Sequence, residues 1–171
     1  MTVDPLTLTL VFHPADVLRQ KAEPVDPASA HVQAVARRMM DLMVEHEGVG
    51  LAAPQIGLPW RLFVTRDPDN VENAIAWINP TLEVLSSEIE SAEEGCLSLP
   101  EILGHVRRSV EIKITGWDGS GQPAEMISSE FIARVWQHEY DHLNGVLIID
   151  KMSAMDRLVN RRAIRNLERS T

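Results

Sequence analysis

Residues 137–142 of this 171-residue chain have the sequence Gln-His-Glu-Tyr-Asp-His, inside a segment predicted to be helical. Residues four apart lie one turn above each other on a helix, so His138 and His142 face the same way. Two imidazoles at this spacing can bind one divalent metal ion, and the neighbouring Glu139 can accept a proton from water activated there. The alternative is a pair of histidines that make ordinary hydrogen bonds. The motif favours a hydrolytic metal site.

A catalytic site of this kind needs a third protein ligand and one open position. Cys96 is a candidate because it follows two glutamates and a glycine, in a segment (residues 93–100) that looks like a loop or strand edge. A thiolate with two imidazoles suits zinc or ferrous iron and disfavours magnesium and calcium. An inert, buried cysteine is the alternative. The other candidate ligands are acidic residues and four histidines, His13, His31, His46 and His105.

A third segment, residues 48–57, has the sequence Gly-Val-Gly-Leu-Ala-Ala-Pro-Gln-Ile-Gly. Its small residues allow the backbone to approach a ligand closely. It lacks the Gly-Lys-Ser/Thr ending and the preceding strand of a phosphate-binding loop. The segment is therefore either a plain connection from a helix to a strand or a site in which the Gln55 amide donates to a developing oxyanion.

The rest of the chain combines helical and extended patterns. Helices are predicted over residues 31–50, 129–143 and 153–168. The first should stop at Gly48 and Gly50, and the last should be capped by Ser153 and Asp156. The β-favouring runs are residues 61–65, 74–80, 110–117 and, as one strand or two, 81–94. We expect an α+β fold with mainly antiparallel sheet, and the length predicts a single domain over residues 1–171.

The formal net charge of −9 argues against a protein that binds DNA or other nucleic acid by general phosphate neutralisation. The charge is uneven, because residues 151–171 contain six basic and two acidic residues and carry +4, which leaves −13 on residues 1–150. The basic stretch is either a solvated helix face or a surface that docks onto an anionic partner such as ribosomal RNA.

The single cysteine excludes an internal disulfide, and a reducing cytosol is the simplest compartment. The first residues lack the basic start of a secretory signal, and Asp4 and Pro5 interrupt their short apolar run. No apolar stretch approaches the roughly 20 residues that a membrane span requires. We therefore expect a cytoplasmic protein with no membrane partner.

Three motifs in this order resemble those of the peptide deformylase family: GxGLAAxQ, EGCxS and HExxH. They lie here at residues 48–55, 94–98 and 138–142, complete and correctly spaced, and the likeness extends from about Val11 to the C-terminus. The resemblance implies the peptide deformylase α+β fold, with antiparallel sheets around a central HExxH helix and a C-terminal helix. It also implies removal of the formyl group from new chains that begin with N-formylmethionine.

The same resemblance implies roles for individual residues. It implies three metal ligands, namely Cys96, His138 and His142. Glu139 would be the general acid and base, with ferrous iron as the usual native metal, although zinc, nickel and cobalt accept the same ligands. The oxyanion would be held by the metal, the Gln55 amide and the Leu97 backbone N–H.

A methionine side chain needs an apolar slot near the metal. By the resemblance, that slot is lined or bordered by Val49, Phe131, Arg134, Val135 and His138. Gly50 and Leu99 would contact the peptide backbone, which would bind by strand addition. Phe131 and Val135 could instead be plain core residues. Arg134 is unusual in an apolar slot, and an outward-pointing side chain with a packed stem is the alternative.

Metal-bound histidines usually donate their other ring N–H to a carboxylate or a carbonyl. Glu94 and Asp141 are available acids here, and Arg107 or Arg108 could neutralise one of them. The sequence does not decide between these pairings.

Two other classes of protein fit part of the pattern. One is a peptidase built on HExxH, but zinc peptidases usually take a third His or Glu, so the Cys96 segment disfavours this class. The other is a catalytically silent, metal-stabilised module that docks on the ribosome through residues 151–169. Such a module has no use for Glu139, although docking and catalysis can coexist in one protein.

Overall fold

The structure, a computed structural model, describes residues 2–170. The helices are α1 (Ala30–Glu45), α2 (Phe131–Leu143), α3 (Ile148–Lys151) and α4 (Ala154–Arg169). The strands are β1 (Gly50–Ala52), β2 (Leu62–Arg66), β3 (Ala74–Val84), β4 (Ile89–Cys96), β5 (Leu99–Ser109), β6 (Ile112–Trp117) and β7 (Pro123–Ser128). Three short 3-10 turns cover Pro5–Thr7, Asp16–Arg19 and Ala53–Ile56.

Five strands form one sheet in the order β1-β2-β3-β6-β7, and each neighbouring pair is antiparallel. Successive side chains of a strand point to opposite faces. In β2, Leu62 and Val64 therefore join the buried cluster around α1, whereas Phe63 joins the cluster that contains Trp136 of α2. Because helices cover both faces here, β2 is apolar over several consecutive residues rather than alternating.

β4 and β5 form a separate antiparallel hairpin, joined by a turn at Leu97 and Ser98. α2 contacts β5 of this hairpin as well as β1, β2, β3 and β7 of the larger sheet. The helix that carries the HExxH motif thus lies between the two sheets. The end of β4 at Cys96 and the beginning of β1 at Gly50 both reach its surface.

α4 packs along β5 through its apolar side, where the partly buried Ile164 contacts a third buried cluster, which includes Ile102 and Val106 of β5. Two polar side chains of α4 bind the β5 backbone. The Asn160 amide donates to the Leu103 carbonyl (2.7 Å), and the Asp156 carboxylate accepts from the His105 N–H (2.9 Å). The helix is therefore attached to the hairpin by both burial and hydrogen bonds.

The structure confirms the α+β class, the mainly antiparallel sheets, the central HExxH helix and the C-terminal helix. α4 begins as predicted, since the Ser153 hydroxyl accepts from the Asp156 N–H. The first helix is shorter than predicted. α1 ends at Glu45 and does not reach Gly48 and Gly50. Glu47 follows in the left-handed region (φ 55°), and Gly50 already belongs to β1.

Strands β1, β5 and β7 were not predicted. The segment 93–100, predicted as a loop or strand edge, contains the end of β4, a turn at Leu97 and Ser98, and the start of β5. β5 lacks a regular alternation of apolar and polar residues, because two of its buried, inward positions are occupied by Gly104 and Arg108. The inward arginine is stabilised by ion pairs rather than by apolar contacts.

Candidate active site

Three side chains meet between α2 and the end of β4. The Nε2 atoms of His138 and His142 lie 3.2 Å apart, and Cys96 Sγ lies 3.4 Å from His142 Nε2. One donor atom from each of the three lies within 4.8 Å of the other two. Within residues 2–170 this group includes none of the other candidate histidines, namely His13, His31, His46 and His105. The structure thus brings together the three ligands that the resemblance implied.

The donor set fits a divalent metal of intermediate softness. His138 Nδ1 lies 2.9 Å from Glu94 Oε1, so a proton on Nδ1 is held by the carboxylate and the Nε2 lone pair faces the group. A thiolate and two imidazole nitrogens are ligands that zinc and ferrous iron accept. Oε2 of Glu139 is buried and has no hydrogen-bond partner among the described residues, so the site offers an acceptor that a ligand must satisfy.

Glu139 is almost fully buried beside the three donors. Burial raises the pKa of its carboxyl to about 7. Its position depends on Gly50, because a Cβ atom added there would lie 2.5 Å from Glu139 Oε1. The glycine of β1 therefore leaves the space that the carboxylate occupies.

Glu94 lies at the centre of a buried ionic network. Arg108 donates to both of its oxygens at 2.9 Å, and Arg134 donates to Oε2 at 2.7 Å. Arg108 also donates to Asp141, one residue before His142. Burial by itself would raise the pKa of Glu94, but the hydrogen bonds of Arg108 and His138 and the charge of Arg108 hold it well below its ordinary value. The carboxylate that holds His138 is therefore ionised.

These contacts resolve the pairings that the sequence left open. Glu94 takes the His138 N–H, and Arg108 binds both Glu94 and Asp141. Arg107 is exposed on the outer face of β5. Arg134 does not point outward, since it is only 8% exposed and its guanidinium contacts Glu94.

Gln55 is fully buried in the 3-10 turn that follows β1. Its Oε1 accepts from the Ala52 backbone N–H at 2.9 Å, which fixes the orientation of the amide. Nε2 consequently points toward the hairpin turn, 3.3 Å from Ser98 Oγ and 3.5 Å from Cys96 Sγ. The amide donor is thus held beside the candidate metal ligands.

A cavity of about 380 Å³ opens in front of these groups. The residues expected at the site that line it are Val49, Gly50, Gln55, Cys96, Leu97, Leu99, Phe131, Arg134, Val135, His138 and Glu139. Phe131 is 64% exposed, so it is a wall of the cavity rather than a plain core residue. Val135 is buried and lines the cavity as well.

Sequence reasoning did not identify two apolar residues of the wall, Ile102 and Leu103 of β5. Leu103 lies over Gly95 of the neighbouring strand, where an added Cβ would approach its Cδ2 to 3.0 Å. Gly95 pairs with Leu103 in the β4–β5 hairpin, so only a correct prediction of β5 could have placed this residue at the site.

The family model for polypeptide deformylase matches residues 7–158. The chain belongs to this family. The peptide deformylase of Thermotoga petrophila is 42% identical over 154 residues, which cover 90% of this chain and 92% of the relative.

Solved structures of peptide deformylases are similar as well. A Plasmodium falciparum peptide deformylase aligns with a TM-score of 0.88 and 35% identity, over 95% of this chain and 96% of the other. A Legionella pneumophila peptide deformylase aligns with a TM-score of 0.85 and 34% identity, over 95% of each chain.

Membership in the polypeptide deformylase family establishes the activity. The chain is a hydrolase that removes the N-formyl group from the N-terminal formylmethionine of newly made polypeptides. The family is metal-dependent, and the Cys96, His138 and His142 cluster could bind the metal. A different HExxH peptidase and a catalytically silent module are not favoured. No helix within residues 2–170 is long and apolar enough to traverse a lipid bilayer.

Proposed function

We propose that Cys96, His138 and His142 bind the catalytic metal of this deformylase and that Glu139 is its general acid and base. The observation that carries this assignment is the approach of the three donor atoms beside the unpartnered Oε2 of Glu139. When bound, the metal supplies a Lewis acid that lowers the pKa of water and polarises the formyl carbonyl.

Glu139 would move the protons of the reaction. With its pKa raised to about 7 by burial, the carboxylate can take a proton from the attacking water near neutral pH. It then gives this proton to the departing amine, which leaves formate and a free N-terminus. Glu139→Gln removes the base but keeps the size of the side chain. We expect this variant to retain its metal and to release almost no formate from a formyl-Met peptide.

Gln55 and Leu97 would stabilise the oxyanion. The Gln55 amide is fixed by Ala52, so its Nε2 donor is aimed at the site before substrate arrives. Leu97 lies in the turn directly after Cys96 and lines the same cavity. These two donors, one from the 3-10 turn and one from the hairpin turn, would act together.

The methionine side chain would occupy the slot between Val49, Phe131 and Val135. Gly50 belongs to β1, the first strand of its sheet, so one edge of this strand is directed away from β2. An extended peptide can add to such an edge through backbone hydrogen bonds. Leu99 would contact the peptide backbone from the start of β5.

We propose ferrous iron as the native ion, because the family resemblance implies it and the donor set of one thiolate and two imidazoles accepts it. Zinc, nickel and cobalt are the alternatives that the same donors accept. The test is elemental analysis of protein purified without oxygen, with formate release from a formyl-Met peptide measured on the same preparation. Zinc, nickel or cobalt in place of iron would contradict the choice of ion, and a well-folded, metal-free protein that still releases formate would contradict the metal assignment.

We further propose that the outer face of α4 docks on the ribosome. Its exposed basic residues are Arg157, Arg161, Arg162, Arg165 and Arg169. Ile164 and Leu167 on the inner face are partly buried against an apolar cluster, so deletion of residues 160–171 would also damage packing. Reversal of charge at Arg161 and Arg162 is the cleaner test. We expect weaker co-sedimentation with ribosomes and unchanged activity on small peptides, and equal co-sedimentation would contradict the proposal.

We also propose that residues 1–171 form one domain that works in the cytoplasm. Both sheets pack on α2, which favours one cooperative unit, and a single unfolding transition would support it. A thiolate ligand is lost on oxidation, so a reducing compartment suits the proposed site. Fractionation of cells that express the chain tests the compartment.

A further inference from the structure

Arg134 is a buried residue of the cavity wall that the proposed mechanism does not use. It is 8% exposed and lies on α2 one turn before His138. A methionine slot calls for apolar walls, and removing a guanidinium from water is costly unless all its charge is compensated. A charged, buried side chain in this wall therefore needs a role other than lining an apolar slot.

The guanidinium of Arg134 joins α2 to both strands of the hairpin. Nη1 donates to Glu94 Oε2 at 2.7 Å and to the Val106 carbonyl at 2.8 Å. Nη2 donates to the Glu90 carbonyl at 2.7 Å. Since a guanidinium is planar and rigid, these three bonds fix the Glu94 carboxylate relative to β4, β5 and α2.

Arg134 also completes the hydrogen bonds of Glu94. Oε1 of Glu94 accepts from His138 Nδ1 and from Arg108 Nη2, both at 2.9 Å. Oε2 accepts from Arg108 Nε at 2.9 Å and from Arg134. An ionised carboxylate has about four acceptor positions, so Arg134 occupies the last one.

Charge compensation alone does not need Arg134. The carboxylates of Glu94 and Asp141 are already matched by Arg108 and by Lys151, whose Nζ lies 3.0 Å from Asp141 Oδ1. The contribution that remains for Arg134 is geometric, because it restricts rotation of the carboxylate that holds the His138 ring.

We propose that Arg134 is a positioning residue that acts through Glu94 to orient His138 toward the metal. The inference rests on the proposed metal site and adds a residue to it. If it is correct, loss of Arg134 weakens metal binding only while Glu94 is present to transmit the effect.

A double-mutant cycle on metal affinity tests this coupling. Full-length protein is titrated with cobalt, and the dissociation constant is measured from the absorption of the bound ion in competition with a chelator. Loss of the partner of a metal-bound histidine typically weakens binding about 10–100-fold, which we expect for Glu94→Gln. Arg134→Met should weaken binding about 10-fold. The double variant should bind no more weakly than Glu94→Gln alone, because both changes remove the same contact.

An additive result, or wild-type cobalt affinity in Arg134→Met, would show that Arg134 only packs the hairpin or shapes the slot. If Arg134 only shapes the slot, KM for formyl-Met peptides would change in Arg134→Met while cobalt affinity would not. Arg107→Met is the matched control, since it removes an exposed arginine from the neighbouring strand and should leave the dissociation constant unchanged.

Two further variants keep the outcome decisive. If Arg134→Met does not fold, Arg134→Lys retains the charge but cannot make the three directed bonds, so it should still weaken cobalt binding. Wild-type affinity in Arg134→Lys would overturn the proposal. Cys96→Ser tests the proposed metal site separately from the role of Arg134. Unchanged cobalt binding in this variant would refute the metal site itself.

Discussion

The substitution Gly50→Ala tests how closely the active site is packed. An alanine Cβ at this position would lie 2.5 Å from Glu139 Oε1 and 2.9 Å from its Cδ and Cγ. Ordinary van der Waals contact begins near 3.4 Å, so the carboxylate has to retreat by about 0.9 Å. A misplacement of about 1 Å in a catalytic group can cost about 100-fold in rate. This corresponds to about 2.7 kcal/mol of transition-state stabilisation.

The assay is formate release from a formyl-Met peptide, with metal content measured on the same samples. We expect kcat to fall by about 100-fold, while bound metal stays at the wild-type level because Cys96, His138 and His142 are not displaced. Gly48→Ala is the matched control. Its Cβ would meet the end of the flexible Leu97 side chain at 3.0 Å, so its loss should be much smaller. Full activity in Gly50→Ala would refute the argument that this glycine makes room for the general base.

Three other predictions follow from the contacts. Gln55→Ala removes one proposed oxyanion donor and should lower turnover by about 10²–10³-fold with metal retained; an unchanged rate would exclude Gln55 from the mechanism. Cys96→Ser should lose most of its bound metal, measured by elemental analysis, and most of its activity. Full retention of both would show that Cys96 is not a metal ligand. Asp150 is partly buried, which opposes ionisation, but the hydrogen bond and charge of Arg19 lower its pKa below the ordinary 3.8. The ionised Asp150 therefore stabilises the folded protein at pH values above 3.8. This contribution is lost as the pH falls through the lower pKa that Asp150 has in the folded state. The gap in thermal stability between the wild type and Asp150→Asn should therefore narrow below about pH 4, and a gap that does not change with pH would contradict the assignment.

The two histidines of the proposed metal site could be predicted from the sequence because their spacing is local, whereas Cys96 was implied by the resemblance. A helix places His138 and His142 on one face whatever surrounds it, and Cys96 is the single cysteine of the chain. The tertiary contacts of the same site could not be inferred. Glu94 belongs to a strand and His138 to a helix 44 residues later, and only the packing of α2 on the hairpin brings them together.

The strands that were missed differ in what hides them from a search for apolar patterns. β1 has only three residues, and β7 has a half-exposed pattern without a strong apolar face. β5 places Gly104 and Arg108 at inward positions, so apolar periodicity is lost where the strand is most important for the site. Sequence reasoning from hydrophobic pattern fails at such positions because ion pairs take the place of apolar burial.

The attachment of α4 to β5 has a consequence for self-association. The unpaired backbone groups at the edge of a hairpin are a template for strand addition by another molecule, and such pairing leads to aggregation. The Asn160 amide binds the Leu103 carbonyl and the Asp156 carboxylate binds the His105 N–H. α4 therefore shields this edge of the hairpin. A change that loosens α4 should therefore reduce colloidal stability, even where the chemistry at the metal ligands is intact.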